Sequence, residues 1–184
     1  MRVFVMMLAI FFTASASAAD FRSSSWGDDM KTVIQVEGEP VHQEHDLLIY
    51  VRELNGVEYQ AFFAFEDLKL TSGGYLSNAD YSNKNDYVYD HKRLTEQLTS
   101  KYGEPDKDEH EWRSNLYRNN PDKIGMAVSI GAYAVYTSWI VDGTEIMNSL
   151  TGSDFDVRQG VTYYSIDSVR ERRSKERKEA LDQL

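Results

Sequence analysis

The chain has no cysteine. That excludes disulfide bridges, thiolate chemistry and an acylated cysteine, so the fold must be held by packing alone. Positive charge is in short supply: 20 Lys and Arg stand against 30 Asp and Glu, a net charge of −10. Such a balance repels nucleic-acid phosphates and anionic lipid and attracts cationic partners. Long apolar runs are nearly absent. The exception, Val3 to Phe12 (VFVMMLAIFF), spans about 15 Å as a helix, where a bilayer core needs about 20 residues. Several catalytic signatures are missing as well. There is no Gly-x-Ser-x-Gly elbow, no phosphate-cradling glycine loop after a strand, and no twelve-residue calcium loop. Four histidines lie among polar neighbours. The expectation is a non-enzyme that needs no cofactor.

What is present begins at the N-terminus. Met1-Arg2 is a basic start, Val3 to Phe12 an apolar stretch, and Thr13 to Ala19 (TASASAA) a run of small residues. This is the layout of a secretory signal peptide over residues 1–19, cut after Ala18 or Ala19. It predicts a periplasmic or secreted protein without a membrane anchor. Only Arg2 leaves with residues 1–19, so 19 basic and 30 acidic residues stay. Residues 170–184 hold six basic and four acidic residues, and the body over 20–169 holds 13 and 26, a charge of −13.

Periodicity divides the body in two. Met30, Val33 and Ile34 lie at i, i+3, i+4 behind Asp28, a helix start, and Gly38 with Pro40 ends that helix. Leu47 to Glu53 and Val57 to Phe65 read as strands joined at Asn55-Gly56, a hairpin signal. Gly73-Gly74 reads as a turn before a short strand at Tyr75-Leu76. A polar linker, Ser77 to Asp86, leads to a second helix from about Tyr87 to Tyr102, with Leu94, Leu98 and Tyr102 on one face. Gly103 and Pro105 close it. Trp112 to Tyr117, Met126 to Ile130, Ala132 to Val141 and Thr144 to Leu150 read as strands, with a hairpin at Asp142-Gly143. Gly152 to Gly160 reads as a polar turn or loop and Val161 to Ile166 as the last strand. Residues 170–184 read as a solvated charged helix or disorder. Gly38-Glu39-Pro40 matches Gly103-Glu104-Pro105, and both glycines are expected in left-handed positions just past their helices. The predicted class is α+β. Two tandem helix-then-antiparallel-sheet half-repeats, about 20–78 and 79–169, share one core, with a charged C-terminal helical tail.

The order Trp26-Gly27, helix, Gly38-x-Pro40, then Lys101-Tyr102-Gly103-Glu104-Pro105, then Trp139 before a hairpin, resembles a group of small exported bacterial proteins. Their architecture is similar to the β-lactamase-inhibitor-protein type of fold, and the small outer-membrane-assembly lipoproteins are similar to half of it. The resemblance implies a binding or scaffolding module. It carries over no functional residue, and the lipoprotein cysteine has no counterpart here.

Among candidate sites, His42-Gln43-Glu44-His45-Asp46 is the densest group of metal-ligand types, but it is read as a polar loop entering a strand. Asp106 to Glu109 and Asp154 to Asp156 are read as solvated loop charge. Tyr75 to Tyr89 (YLSNADYSNKNDYVY) mixes tyrosine with Ser, Asn and Asp as binding loops do, so Tyr75, Tyr81, Tyr87 and Tyr89 are the expected partner contacts. The function expected is an exported protein-binding module without cofactor or metal. Its partner would be a protein and not nucleic acid, and its sharpest form is an inhibitor of a cationic envelope enzyme. The alternative is a small envelope hydrolase using a carboxylate pair that sequence does not single out.

Overall fold

The first helix starts at Asp29, not at Asp28, whose carboxylate instead accepts from the Ser25 amide. The backbone of Asp29 is extended and its carboxylate accepts from the Thr32 amide at 2.7 Å, satisfying one of the free N–H groups of the first turn. In the computed structural model, which describes residues 19–54 and 57–182, helix α1 (Met30–Glu37) follows, with Val33 fully buried. It stops at Gly38, with φ 87° and ψ −172°. Helix α2 (Asn85–Tyr102) stops at Gly103, with φ 89° and ψ −169°. Positive φ was expected at both. The extended ψ was not, and it places the two residues in a region essentially reserved for glycine. The chain leaves each helix directly into Glu-Pro instead of curling back under the last turn.

Eight strands form one antiparallel sheet. They are β1 (His42–Gln43), β2 (Leu47–Leu54), β3 (Val57–Glu66), β4 (Lys69–Ser77), β5 (Lys107–Trp112), β6 (Tyr133–Val141), β7 (Thr144–Ser153) and β8 (Asp156–Ser165). The spatial order is β1-β2-β3-β4-β8-β7-β6-β5. The class is therefore α+β. Each of α1 and α2 precedes four strands, and the last strand of each set meets the other at a central β4–β8 seam, with Ser72 opposite Tyr164 and Leu76 opposite Gly160.

Several local expectations are corrected. Gly73 and Gly74 lie inside β4, not in a turn. A Cβ on Gly73 would stand 2.4 Å from the Phe21 ring, and one on Gly74 2.4 Å from the Val161 carbonyl oxygen, so close approach explains these glycines. The actual turn is Asp67-Leu68, with φ 49° and 65°. Likewise the turn within residues 152–160 is confined to two of them. β7 and β8 run through the others, reversing at Asp154-Phe155 with φ 50° and 67°. Asp142-Gly143 adopts the expected hairpin geometry, φ 47° and 81°. The Asn55-Gly56 turn lies outside the described residues, although Leu54 pairs with Val57 on either side of it. Met126 to Ile130 is not a strand: α3 (Ile124–Ser129) covers most of it, because a short apolar run fits a buried helix as well as a strand. Trp112 to Tyr117 contributes only Trp112 to a strand. The pairing begins at Lys107, in a wholly polar stretch before Trp112. After β8 the chain enters α4 (Ile166–Asp182) with no intervening residue.

Three apolar clusters hold the elements together. Phe21, Val33, Leu48 and Phe63 centre one beneath α1. Tyr87, Val128, Val135 and Leu150 build another with α3. Leu98, Trp139, Ile146 and Val161 make the third beneath α2. Tyr163 packs on the first and third, which ties the two sides of the seam. The helix stops are fastened to this core in the same manner. The Tyr50 hydroxyl donates to the Gly38 carbonyl at 3.0 Å, and the Trp139 Nε1–H donates to the Gly103 carbonyl at 2.9 Å.

Candidate binding face

Side chains alternate across a sheet, so each strand supplies two sets. One set runs Tyr50, Ala61, Tyr75, Val161, Asn148 and Thr137 in register from β2 to β6. It belongs to the side that α1, α2 and α3 cover. The other set runs Ile49, Phe62, Gly74, Thr162, Met147 and Ser138. None of the three core clusters uses it. This open side is apolar at its centre. A Cβ on Gly74 would stand 2.7 Å from the Phe62 ring, and one on Gly160 2.9 Å from Leu76 Cδ2. Phe62 and Leu76 therefore lie flat in the dents that the two glycines leave. Half-buried Met147, Tyr136 and Tyr164 continue the surface, and Val51, Leu76 and Ile140 are exposed.

Carboxylates edge this surface. Glu53 and Glu58 stand directly opposite one another on β2 and β3, an arrangement that destabilises the pair. A depression of about 280 Å³ is lined by Lys107, Glu109, Tyr136, Ser138, Glu145 and Met147. The acids on the covered side of β5 are engaged, since Asp108 accepts from Thr137 at 2.9 Å and lies 3.3 Å from His110 Nε2. On the open side Arg113 chelates Glu111 through Nε and Nη2. Glu109 and Glu145 take no ion-pair partner among the described residues.

The four expected contact tyrosines are elsewhere. Tyr75 lies on the covered side, edge-on to Phe21 at 5.5 Å, and accepts from Arg22 at 2.9 Å. Tyr87 is buried. Its hydroxyl donates to the Ala79 carbonyl at 2.7 Å and accepts from the Tyr81 amide. Tyr81 donates to the Asp90 carboxylate, and that bond pushes its pKa up to about 12. The hydroxyls of Tyr81 and Tyr87 fix the linker onto the fold. Tyr89 alone is well exposed, at 67 %.

The His42 ring bonds the Glu44 carboxylate at 2.9 Å. Among the described residues no group of three His, Asp or Glu is close enough to hold a metal ion, and no helix is long and apolar enough to cross a membrane. Asp154 belongs to a turn and Asp156 opens β8, while residues 107–109 belong to β5.

Two features of the covered side escaped the sequence. A cleft of about 320 Å³ runs beside α2, with Tyr59, Tyr75, Tyr163 and Leu98 in its walls and Arg93 and Lys101 along the helix. Beneath α2 lies a polar layer. Asn148 is fully buried and its amide donates to Thr95 Oγ1 at 2.8 Å and to the His91 carbonyl at 3.2 Å. His91 is 6 % exposed, its Nδ1 has no partner, and burial pushes its pKa down to about 4.

The open side had a sequence signal that periodicity alone does not read. VEYQAFFAF in β3 is apolar at Phe62 and Ala64 as well as at Ala61 and Phe63, so both faces of that strand are apolar. Compared with known proteins, the chain matches no family model, no curated protein and no solved structure.

Proposed function

We propose that this chain is an exported protein-binding module and that the open side of the sheet is its contact surface. One observation carries the reading: α1, α2 and α3 cover a single side, and the other presents seated apolar and aromatic side chains with Glu109 and Glu145 at its rim, neither in an ion pair among the described residues. Aromatic residues and methionine are the residue types enriched in protein interfaces. The rim and the acidic body favour a cationic partner and speed its arrival in a salt-dependent way. The sharpest form remains an inhibitor of a cationic envelope enzyme. Export is supported by the basic start, apolar stretch and small-residue run of residues 1–19. The resemblance to the β-lactamase-inhibitor-protein type of fold is supported by the succession of a helix and four strands, twice.

The test uses a cationic lysozyme as probe. Met147→Lys and Leu76→Lys, on the open side, should each weaken its binding at least tenfold, while Tyr89→Ala should not. Equal binding by all three would overturn the reading. Sequencing of the protein recovered from the envelope should begin at Ala19 or Asp20, and an intact Met1 there would refute export. The hydrolase reading has one observation in its favour: the carboxylate of Asp108, the ring of His110 and the hydroxyl of Tyr133 form a hydrogen-bonded chain. Turnover of an envelope glycan by the wild type, lost in His110→Gln, would establish it instead.

A further inference from the structure

Ile166, Ser168 and Val169 at the start of helix α4 are half-buried, and residues 170–181 are exposed. At 100° per residue, Ile166, Val169, Arg170, Arg173, Arg177 and Leu181 share one side, with Glu176 at its edge and the other carboxylates of the helix away from it. Arg173 and Arg177 make no ion pair among the described residues, and Arg170 makes only a loose, exposed one with Asp167 at 3.5 Å. The helix meets the sheet through Arg172, 2.8 Å from Glu66 at the end of β3.

We infer that α4 is an intermolecular arm, whose arginine-and-aliphatic stripe docks on the open sheet side of a second copy of this chain. The inference rests on that side being a contact surface. Charge favours it: the arm is the basic part of a chain whose body carries −13, and Glu109 and Glu145, in a depression that Lys107 also lines, make no ion pair among the described residues. Shape agrees. Seventeen residues make a helix about 25 Å long, and eight strands span about 34 Å. Arginine stems would lie on Met147 and Leu76 while their guanidinium groups reach the rim. The arm cannot serve its own sheet, because Ser165 ends β8 and Ile166 begins α4 with no linker to turn on. An anionic membrane is disfavoured by the charge of the body behind the arm. Reciprocal docking would give a two-fold dimer.

Sedimentation equilibrium of the mature chain should show a dimer at low salt, with affinity falling about tenfold or more as salt rises to physiological strength. The triple variant Arg170→Glu, Arg173→Glu, Arg177→Glu should be monomeric. So should Glu109→Arg, Glu145→Arg. Mixing the two should restore a heterodimer, because the acidic arm of one fits the basic face of the other. A chain ending at Val169 should be monomeric, unfold as the wild type does, and still bind the lysozyme probe. A monomeric wild type at low salt, a dimer that survives the arm variants, or arm-dependent binding to phosphatidylglycerol vesicles without dimerisation would each overturn the inference. Intact lysozyme binding by the arm variants would leave the contact surface standing in those cases.

Discussion

Gly38 and Gly103 offer a direct measure of backbone conformation, because no atom crowds the place of a side chain at either position. A Cβ built on either one meets no atom within 4 Å. Alanine there would neither clash nor pack. What remains is the backbone itself, with φ near 88° and ψ near 180° at both sites, a combination that disfavours any L side chain by roughly 1–3 kcal/mol. Alanine also restricts the unfolded chain, which returns about 0.4–1 kcal/mol. The net expectation is a loss of about 1–2 kcal/mol for each variant. The two sites belong to separate helices, so their losses should add within about 0.5 kcal/mol. For a chain of this length each kcal/mol lowers Tm by about 2–4 °C. Urea unfolding of Gly38→Ala, Gly103→Ala and the double variant measures this directly. Gly38→Val and Gly103→Val should lose at least as much, since a β-branched residue is more restricted still. The carbonyl of Gly38 accepts from Tyr50 and that of Gly103 from Trp139, so a backbone shift at either site would weaken that bond as well. Refutation would come from an unchanged midpoint, or from one site costing several times the other, since the argument assigns the same cause to both.

Other predictions follow from single groups. His91 has a folded pKa of about 4 against an ordinary value near 6.5, so the unfolded chain binds its proton more readily. Stability should be complete above pH 6.5 and fall by up to about 3 kcal/mol as the pH drops through 4. The carboxylate of Asp108 opposes this loss and His110 adds to it. His91→Gln should flatten that limb of a stability–pH profile, and an unaltered limb would place the titration elsewhere. Trp139→Phe keeps a large ring but removes the donor to the Gly103 carbonyl, so it should cost about 1–3 kcal/mol in urea unfolding. Asp29→Ala removes the cap of α1 and should cost about 1 kcal/mol.

The legible parts of the sequence were those with a repeated physical signal. Val33 and Ile34 before Gly38, and Leu94 and Leu98 before Gly103, mark both helices and their ends. Tyr133–Val141 and Asp142-Gly143 mark the strongest hairpin. The misread parts had a reason in common: the usual residue carried a different burden. Leu68 and Phe155 occupy positive-φ turn positions without being glycine, whereas Gly73, Gly74 and Gly160 are needed inside strands because a ring or a backbone lies against them. β5 is unreadable as a strand because it is the edge of the sheet. Charges in KDEHEW guard that edge against pairing with another chain, and they hide its period. The tyrosine-rich segment looks like a binding loop by composition, yet the hydroxyls of Tyr75, Tyr81 and Tyr87 are used within the fold. The open side of the sheet is distributed over seven strands, so no contiguous stretch of sequence announces it.

The central seam has a consequence for how the chain folds. Neighbours in β2–β3, β3–β4, β6–β7 and β7–β8 are hairpin partners, close in sequence. Across the seam Ser72 pairs with Tyr164, some ninety positions along the chain by their numbers. Closing so long a loop is slow relative to zipping a hairpin. Each side can therefore gather its helix and strands early, and the β4–β8 pairing sets the pace. Gly74 and Gly160 lie in that seam, where an added Cβ would meet a backbone oxygen at 2.4 and 2.3 Å. Alanine at either one should slow refolding more than it speeds unfolding, which would identify the seam as the contact that the transition state must make.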